Sequence, residues 1–210
     1  MVCLFCEREV MPTIASEYHR VVSTPSDIWE HLPTLERYAL ECDHVTECGV
    51  RGGASSWAFA NGLRRNPKAR LIQVDISPLP KEFQDQARSE GIDVVGYEMS
   101  DLNCPIEDTD ILFIDTWHVY GQMKRELARW HTHTRKYIIM HDTEVDRWIG
   151  ETIRCGMDAE KQSLETGVPV IEIMRGIWPA VLEFLNDHPE WKIREEFKNN
   201  NGLTILERNN

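Results

Sequence analysis

The sequence predicts an α/β fold, a doubly wound sheet that is mostly parallel and ends in an antiparallel hairpin. Three observations carry that prediction. Short apolar segments alternate five times with segments of helical periodicity, the pattern of parallel strands joined by helices. Two of these segments, 110–115 and 136–140, are apolar almost without a break, as strands covered on both faces must be. Glu47, Asp75, Asp115 and Asp142 stand at strand ends, and ligands of such sheets bind in the crevice beyond those ends.

Each element has its own signal. Residues 1–22 show little periodicity and are expected to be a lead-in. The Cys3-Leu-Phe-Cys6 spacing there invites a metal, but no second Cys or His pair lies at zinc-finger distance, so no zinc site is expected. Pro25-Ser-Asp27 precedes Ile28, Leu32, Leu35 and Ala39 at three- and four-residue steps, predicting a capped helix over 26–42. Residues 44–48 form the first strand, followed by a glycine-rich turn and a helix over 55–65 that Pro67 cannot prolong. The second strand is 71–75; a proline-marked loop, a polar helix through 90 and a third strand at 92–96 follow. The fourth strand (110–115), a helix at 122–130 and the fifth strand (136–140) lead to His141-Asp142-Thr143. A polar stretch, 143–175, is expected to act as a lid; a helix at 177–187 and strands at 191–196 and 202–207 close the chain, the last two paired through Asn199-Asn-Asn-Gly202. The whole chain reads as one domain, which a longer parent protein could carry.

Composition narrows the partners. With 210 residues and 41% hydrophobic content the chain can bury one core and enclose a pocket. A net charge of -12 repels nucleic acid and anionic membrane surfaces, which favours a small-molecule or glycan partner. No apolar run reaches membrane-spanning length and no signal segment opens the chain, so a cytoplasmic protein with reduced thiols is expected.

The turn after the first strand has neither Gly-x-Gly-x-x-Gly nor Gly-Lys-Ser/Thr, which argues against a dinucleotide or a nucleoside triphosphate. Glu47 would repel a pyrophosphate and could receive the ammonium of an amino-acid-bearing cofactor. Asp75 could accept both hydroxyls of a ribose; it would suit NAD as well, or simply cap the next turn. Asp115, His141 and Asp142 offer oxygen and imidazole ligands for magnesium or manganese, and His118 stands where it could take a proton from a bound hydroxyl. The alternative is that both aspartates cap helices and His118 is a solvated loop residue.

Taken together, Glu47-Cys-Gly-Val-Arg-Gly-Gly-Ala-Ser-Ser-Trp57, Asp75, Phe113-Ile-Asp-Thr-Trp-His-Val-Tyr120 and Met140-His-Asp-Thr143 resemble the class I S-adenosylmethionine-dependent O-methyltransferases. The resemblance is to their metal-dependent sugar-modifying branch, related to macrocin O-methyltransferase and cephalosporin hydroxylase-like proteins, and spans roughly residues 26–207. It implies the Rossmann-like class I fold and two cofactors, S-adenosyl-L-methionine and a divalent metal. By position, Glu47, Gly49 and Gly53, with Ser55 beside them, would line the methionine part of the cofactor. Asp75 would hold its ribose, Ser100 and Asp101 would meet its adenine, and Asp115 would border it. Asp115, His141 and Asp142 match the metal positions and His118 the general base. The family usually has two acidic residues, or an acid and an amide, where this chain has His141-Asp142, so Asp142 is the firmer ligand. Trp117, Trp148 and Arg175 would contact the acceptor, whereas Trp178 is read as a core anchor of the last helix. The implied reaction is methylation of a sugar hydroxyl, with a deoxyhexose such as rhamnose the first choice. An NAD-dependent oxidoreductase and a non-catalytic glycan- or protein-binding module are the alternatives.

Overall fold

A computed structural model of the protein describes residues 12–209. Its first helix, α1 (Ile14–Val22), starts in a capping box between Thr13 and Ser16 and buries Ile14, Tyr18 and Val21. Residues 14–22 of the expected lead-in are therefore part of the packed domain, while Cys3 and Cys6 lie outside the described residues. The helix expected over 26–42 is shorter: residues 29–31 make one 3-10 turn and α2 (Leu32–Ala39) begins there. Pro33 explains the start, since a proline ring fits an α-helix only in its first turn.

β1 (His44–Cys48), α3 (Ala54–Leu63), β2 (Arg70–Asp75), α4 (Lys81–Ser89), β3 (Asp93–Glu98), β4 (Thr109–Ile114), α5 (Tyr120–Trp130) and β5 (Thr134–His141) follow the predicted alternation. The 143–175 segment is not a bare loop; it holds α6 (Glu151–Arg154), α7 (Ala159–Thr166) and α8 (Val170–Met174). α9 (Trp178–Asp187) and the hairpin β6 (Trp191–Phe197) and β7 (Leu203–Arg208) complete the chain.

Seven strands form one sheet in the order β3-β2-β1-β4-β5-β7-β6. β1 to β5 run parallel, and β7 lies antiparallel between β5 and β6. Along β4 the side chains alternate, Ile111 and Phe113 packing on one face with α1, α2 and α3, Leu112 and Ile114 on the other with α5 and α9. Both faces are thus covered, which is why the central strands read as unbroken apolar runs. The order reverses between β1 and β4, and the crevice at that switch point is the place for a ligand. Cys42, Cys48, Cys104 and Cys155 are free thiols. Among the described residues no helix is long and apolar enough to cross a membrane.

Candidate active site

The turn leaving β1 is held by its neighbours. Gly49 has φ +87°, a conformation that favours glycine, and any Cβ there would overlap the carbonyl of Asp115. Its N–H donates to Val74 O at 2.9 Å, and Asp115 N donates to Cys48 O at 2.8 Å, so the ends of β2, β1 and β4 are drawn together. Gly53, φ +76°, opens α3. Asp75 fastens the turn: its Oδ2 accepts from Val50 N at 2.8 Å and Arg51 N at 2.9 Å, and its Oδ1 from Ser77 N at 2.8 Å. Burial alone would raise the Asp75 pKa, yet these N–H groups hold it below the ordinary carboxylate value. Asp75 is thus a turn cap here, with one lone pair of Oδ1 left for a ribose hydroxyl.

Glu47 is fully buried beneath the turn, where Ser55 Oγ donates to one oxygen at 2.5 Å and Ser56 Oγ to the other at 2.6 Å. Burial pushes its pKa up to about 7, against the opposing effect of those hydroxyls and of Gln73. Neither Glu47 nor Ser55 faces the crevice as expected; they support the turn from below. Ser100 Oγ accepts from Leu102 N at 3.2 Å, and Asp101 is buried with Oδ1 accepting from Gln122 Nε2 at 3.1 Å. The Asp101 carboxyl therefore points into the protein, not toward an adenine. Two apolar side chains that sequence reasoning missed flank that side instead: Ile76, 82% exposed directly after Asp75, and Met99, 40% exposed directly before Ser100. An isoleucine directly after a strand-end aspartate, where a polar turn residue is the rule, was the readable signal.

Across the switch point the ends of β4 and β5 bring Asp115, His118, His141 and Asp142 together. His118 Nε2 and His141 Nδ1 each lie 3.2 Å from Asp115 Oδ1. His118 Nδ1 is 3.2 Å from Asp142 Oδ2, 3.5 Å from Glu151 Oε2 and 3.7 Å from Asp146 Oδ2. Asp142 has φ +57°, unusual for a non-glycine residue and a form of strain that collects at functional sites. Burial would raise the Asp115 pKa, but hydrogen bonds from the two imidazoles hold it well below the usual range. Burial works against a charged His118, yet Asp115, Glu151 and Asp142 outweigh it and raise its pKa well above the ordinary value. Asp142 is pushed up by its own burial.

Glu151 and Asp146 were not foreseen. Asp146 is buried in a two-bond ion pair with Arg154, at 2.6 and 2.8 Å. The N–H of Glu151 donates to His118 O at 3.0 Å, and His118 N donates back to Glu151 Oε2 at 3.3 Å, so α6 is tied to the β4 turn. Asp146 stands four residues after Asp142, a faint signal; Glu151 gave none.

One donor atom each from Asp115, His118 and Asp142 falls within 4.8 Å of the others. His118 Nδ1 and Asp142 Oδ1 are buried without a properly angled hydrogen-bond partner, and buried polar atoms left so are costly unless something else binds them. His141 Nε2 lies 3.3 Å from the carbonyl of Asn200, to which it can only donate, and Nδ1 lies 3.2 Å from Asp115 Oδ1, to which it donates while the imidazole is protonated. Carboxylates and imidazoles so arranged suit a divalent cation of the magnesium or manganese kind.

Over residues 46–143 the sequence matches a family described as a methyltransferase domain. Solved structures share its fold at low identity. An O-methyltransferase from Bacillus cereus in complex with S-adenosylhomocysteine is 14% identical, with 95% of this chain and 93% of that one covered and a TM-score of 0.53. TomG from Streptomyces achromogenes, an O-methyltransferase of tomaymycin synthesis in complex with S-adenosylmethionine, is 13% identical with 93% and 88% coverage and a TM-score of 0.54. The N-methyltransferase NodS from Bradyrhizobium japonicum, in complex with S-adenosylhomocysteine, is 11% identical with 94% and 99% coverage and a TM-score of 0.53. At these identities the likeness is of fold, the class I methyltransferase fold. Among curated proteins there is no match.

Of the residues expected on the acceptor side, the structure brings only part together. Trp117 lies between the cluster and α6, its Nε1 donating to Thr152 Oγ1 at 3.1 Å. Trp148 is 59% exposed and borders, with Val145, Ile149 and Ile153, a surface groove of about 350 Å³. Arg175 is turned away: its guanidinium stacks 3.9 Å from the Tyr120 ring and pairs with Glu183 of α9. Trp178 is buried, as a core anchor should be, with the Arg147 guanidinium 3.7 Å from its ring.

Proposed function

We propose that this methyltransferase transfers the methyl group of S-adenosylmethionine to a sugar hydroxyl with the help of a divalent cation. The observation that carries the reading is the Asp115, His118, His141 and Asp142 cluster facing the Gly49 turn across the switch point. A sulfonium donor needs no phosphate-binding loop, and none is present. Asp75 would take a ribose hydroxyl on Oδ1, while Ile76 and Met99 offer apolar faces for an adenine.

Asp115 and Asp142 would hold the cation, and His141 would complete the protein's share once its Nδ1 gives up the proton it shares with Asp115. Bound there, the ion would neutralise the carboxylates and make an acceptor hydroxyl more acidic. With Asp115 and Asp142 neutralised by the ion, the charges that keep His118 protonated would be lifted, and His118, aligned by Glu151, would be free to receive the proton of that hydroxyl. The segment from α6 to α8, anchored on the β4 turn through Glu151, would exclude water from the crevice. A deoxyhexose such as rhamnose is the first acceptor to try.

Incubating the protein with isotopically labelled S-adenosylmethionine and a panel of methyl-free glycosides, with and without chelator, tests the reading. A product heavier by one labelled methyl, lost on chelation, is expected. Full turnover in chelator removes the cation, and label arriving on nitrogen or carbon removes the hydroxyl acceptor.

A further inference from the structure

The turn after β3 and the turn after β4 are joined under the sheet by Glu126 of α5, a side chain with no part in the chemistry above. It is wholly buried. Its Oε1 accepts from Gln122 Nε2 at 2.8 Å and from the hydroxyl of Thr116, the residue that follows Asp115. Gln122 Nε2 also donates to Asp101 Oδ1. The two remaining oxygens, Glu126 Oε2 and Asp101 Oδ2, are both buried with no donor among the neighbouring groups, and the single Gln122 Nε2 bridges the two carboxyls. Two carboxylate oxygens bond only with a proton between them.

We propose that Glu126 is a positioning residue of this methyltransferase, a neutral acid that donates its O–H to Asp101 and accepts from Thr116. It thereby fixes the turn on the adenine side of the crevice relative to the turn carrying Asp115. The proton belongs on Glu126 because its complete burial and the neighbouring Asp101 charge both disfavour its anion, whereas Asp101 is the less deeply buried of the two. Arg129 anchors the far side of the same turn through the carbonyls of Asp101 and Cys104, at 3.2 and 2.5 Å. The inference rests on the cofactor reading above.

Glu126→Gln preserves every bond, since its amide N–H donates to Asp101 and its amide oxygen accepts from Thr116 and Gln122. Glu126→Leu keeps the volume and removes them. By calorimetry the Gln variant should bind S-adenosylhomocysteine within about twofold of the parent, and the Leu variant about tenfold more weakly, the effect of leaving a buried polar group unpaired. Should the Leu variant not fold, Thr116→Val cuts the tie at its other end, and its kcat should fall with cofactor affinity kept. A folded Gln variant that loses affinity as the Leu variant does, a Leu variant that binds like the parent, or a Thr116→Val protein with parental kcat overturns the role of Glu126. A parent protein that does not bind S-adenosylhomocysteine instead overturns the cofactor reading itself.

Discussion

Glu47 is buried without a counter-charge, and that makes it a point where pH acts on the fold. Its pKa stands at about 7 in the folded chain against 4.5 for a free carboxyl. The folded state therefore holds its proton over a window in which the unfolded chain has already released it. Its favourable contribution is complete below 4.5 and is lost as pH climbs through 7, a change on the order of 3 kcal/mol. Glu47→Gln cannot titrate. The variant should melt at a higher temperature than the parent at pH 8, with the difference shrinking toward pH 5; parallel melting curves across that range would remove the burial argument. The two histidines of the cluster should separate in another way. His118→Ala is expected to lower turnover on the order of 10²-fold with divalent-ion affinity retained, because a base is lost and not a ligand. His141→Ala should weaken the ion, read by titrating activity with manganese. Equal ion affinity in both variants would mean that His141 is no ligand, and weaker ion binding in the His118 variant alone that the roles are reversed. At this scale the sequence announced which residue types stand at strand ends, through the glycine turn and the acid after each apolar run. It could not announce which way they face: Glu47, Ser55 and Asp101 turn inward and Arg175 turns to α9, because the partners that orient them are distant in the chain.

At the scale of elements, α2 and α3 show how closeness outranks propensity. Gly62 sits inside α3, where alanine would favour the helix by about 1 kcal/mol. A Cβ there would lie 2.6 Å from both the Ala39 Cβ and the Glu36 carbonyl oxygen of α2. Neither atom can swing aside, so the helices must part, and overpacking of this kind costs about 1–3 kcal/mol. Gly62→Ala should therefore lower the denaturation midpoint, and a midpoint equal to or above the parent's would show that α2 yields freely. The strands were legible to within about two residues because the central ones are apolar and all are bounded by turn residues. Two stretches were not. α1 has Ile14, Tyr18 and Val21 at helical steps behind Thr13, but one nine-residue helix at a chain end gives few repeats of the pattern. α6, α7 and α8, of 4, 8 and 5 residues, are too short for periodicity, and their places are set by packing on the β4 turn and by the Ile149–Arg175 bridge.

For the molecule as a whole, the parallel order and the reversal between β1 and β4 followed from alternation alone, while the insertion of β7 between β5 and β6 is a choice of pairing that no local pattern encodes. The same fold concentrates acid: of a net charge of -12, Asp115, Asp142, Asp146 and Glu151 are gathered around one imidazole, with Arg154 the paired cation. The four carboxylates outnumber the His118, His141 and Arg154 cations among them, so a divalent ion that enters should add to global stability. A ligand of the native state at a hundred times its dissociation constant stabilises by about 2.7 kcal/mol, and in a chain of this size that moves the melting temperature by roughly 5–10 °C. Magnesium or manganese should raise the parent's melting temperature by this amount, while sodium chloride of equal ionic strength, which only screens, should not. Asp115→Asn combined with Asp142→Asn removes the cation's ligands and the pairing of both imidazoles, so the ion-free variant should melt below the ion-free parent and respond little to manganese. A variant that rises with manganese as far as the parent would place the effect on the general surface charge and leave the strand-end cluster without its cation.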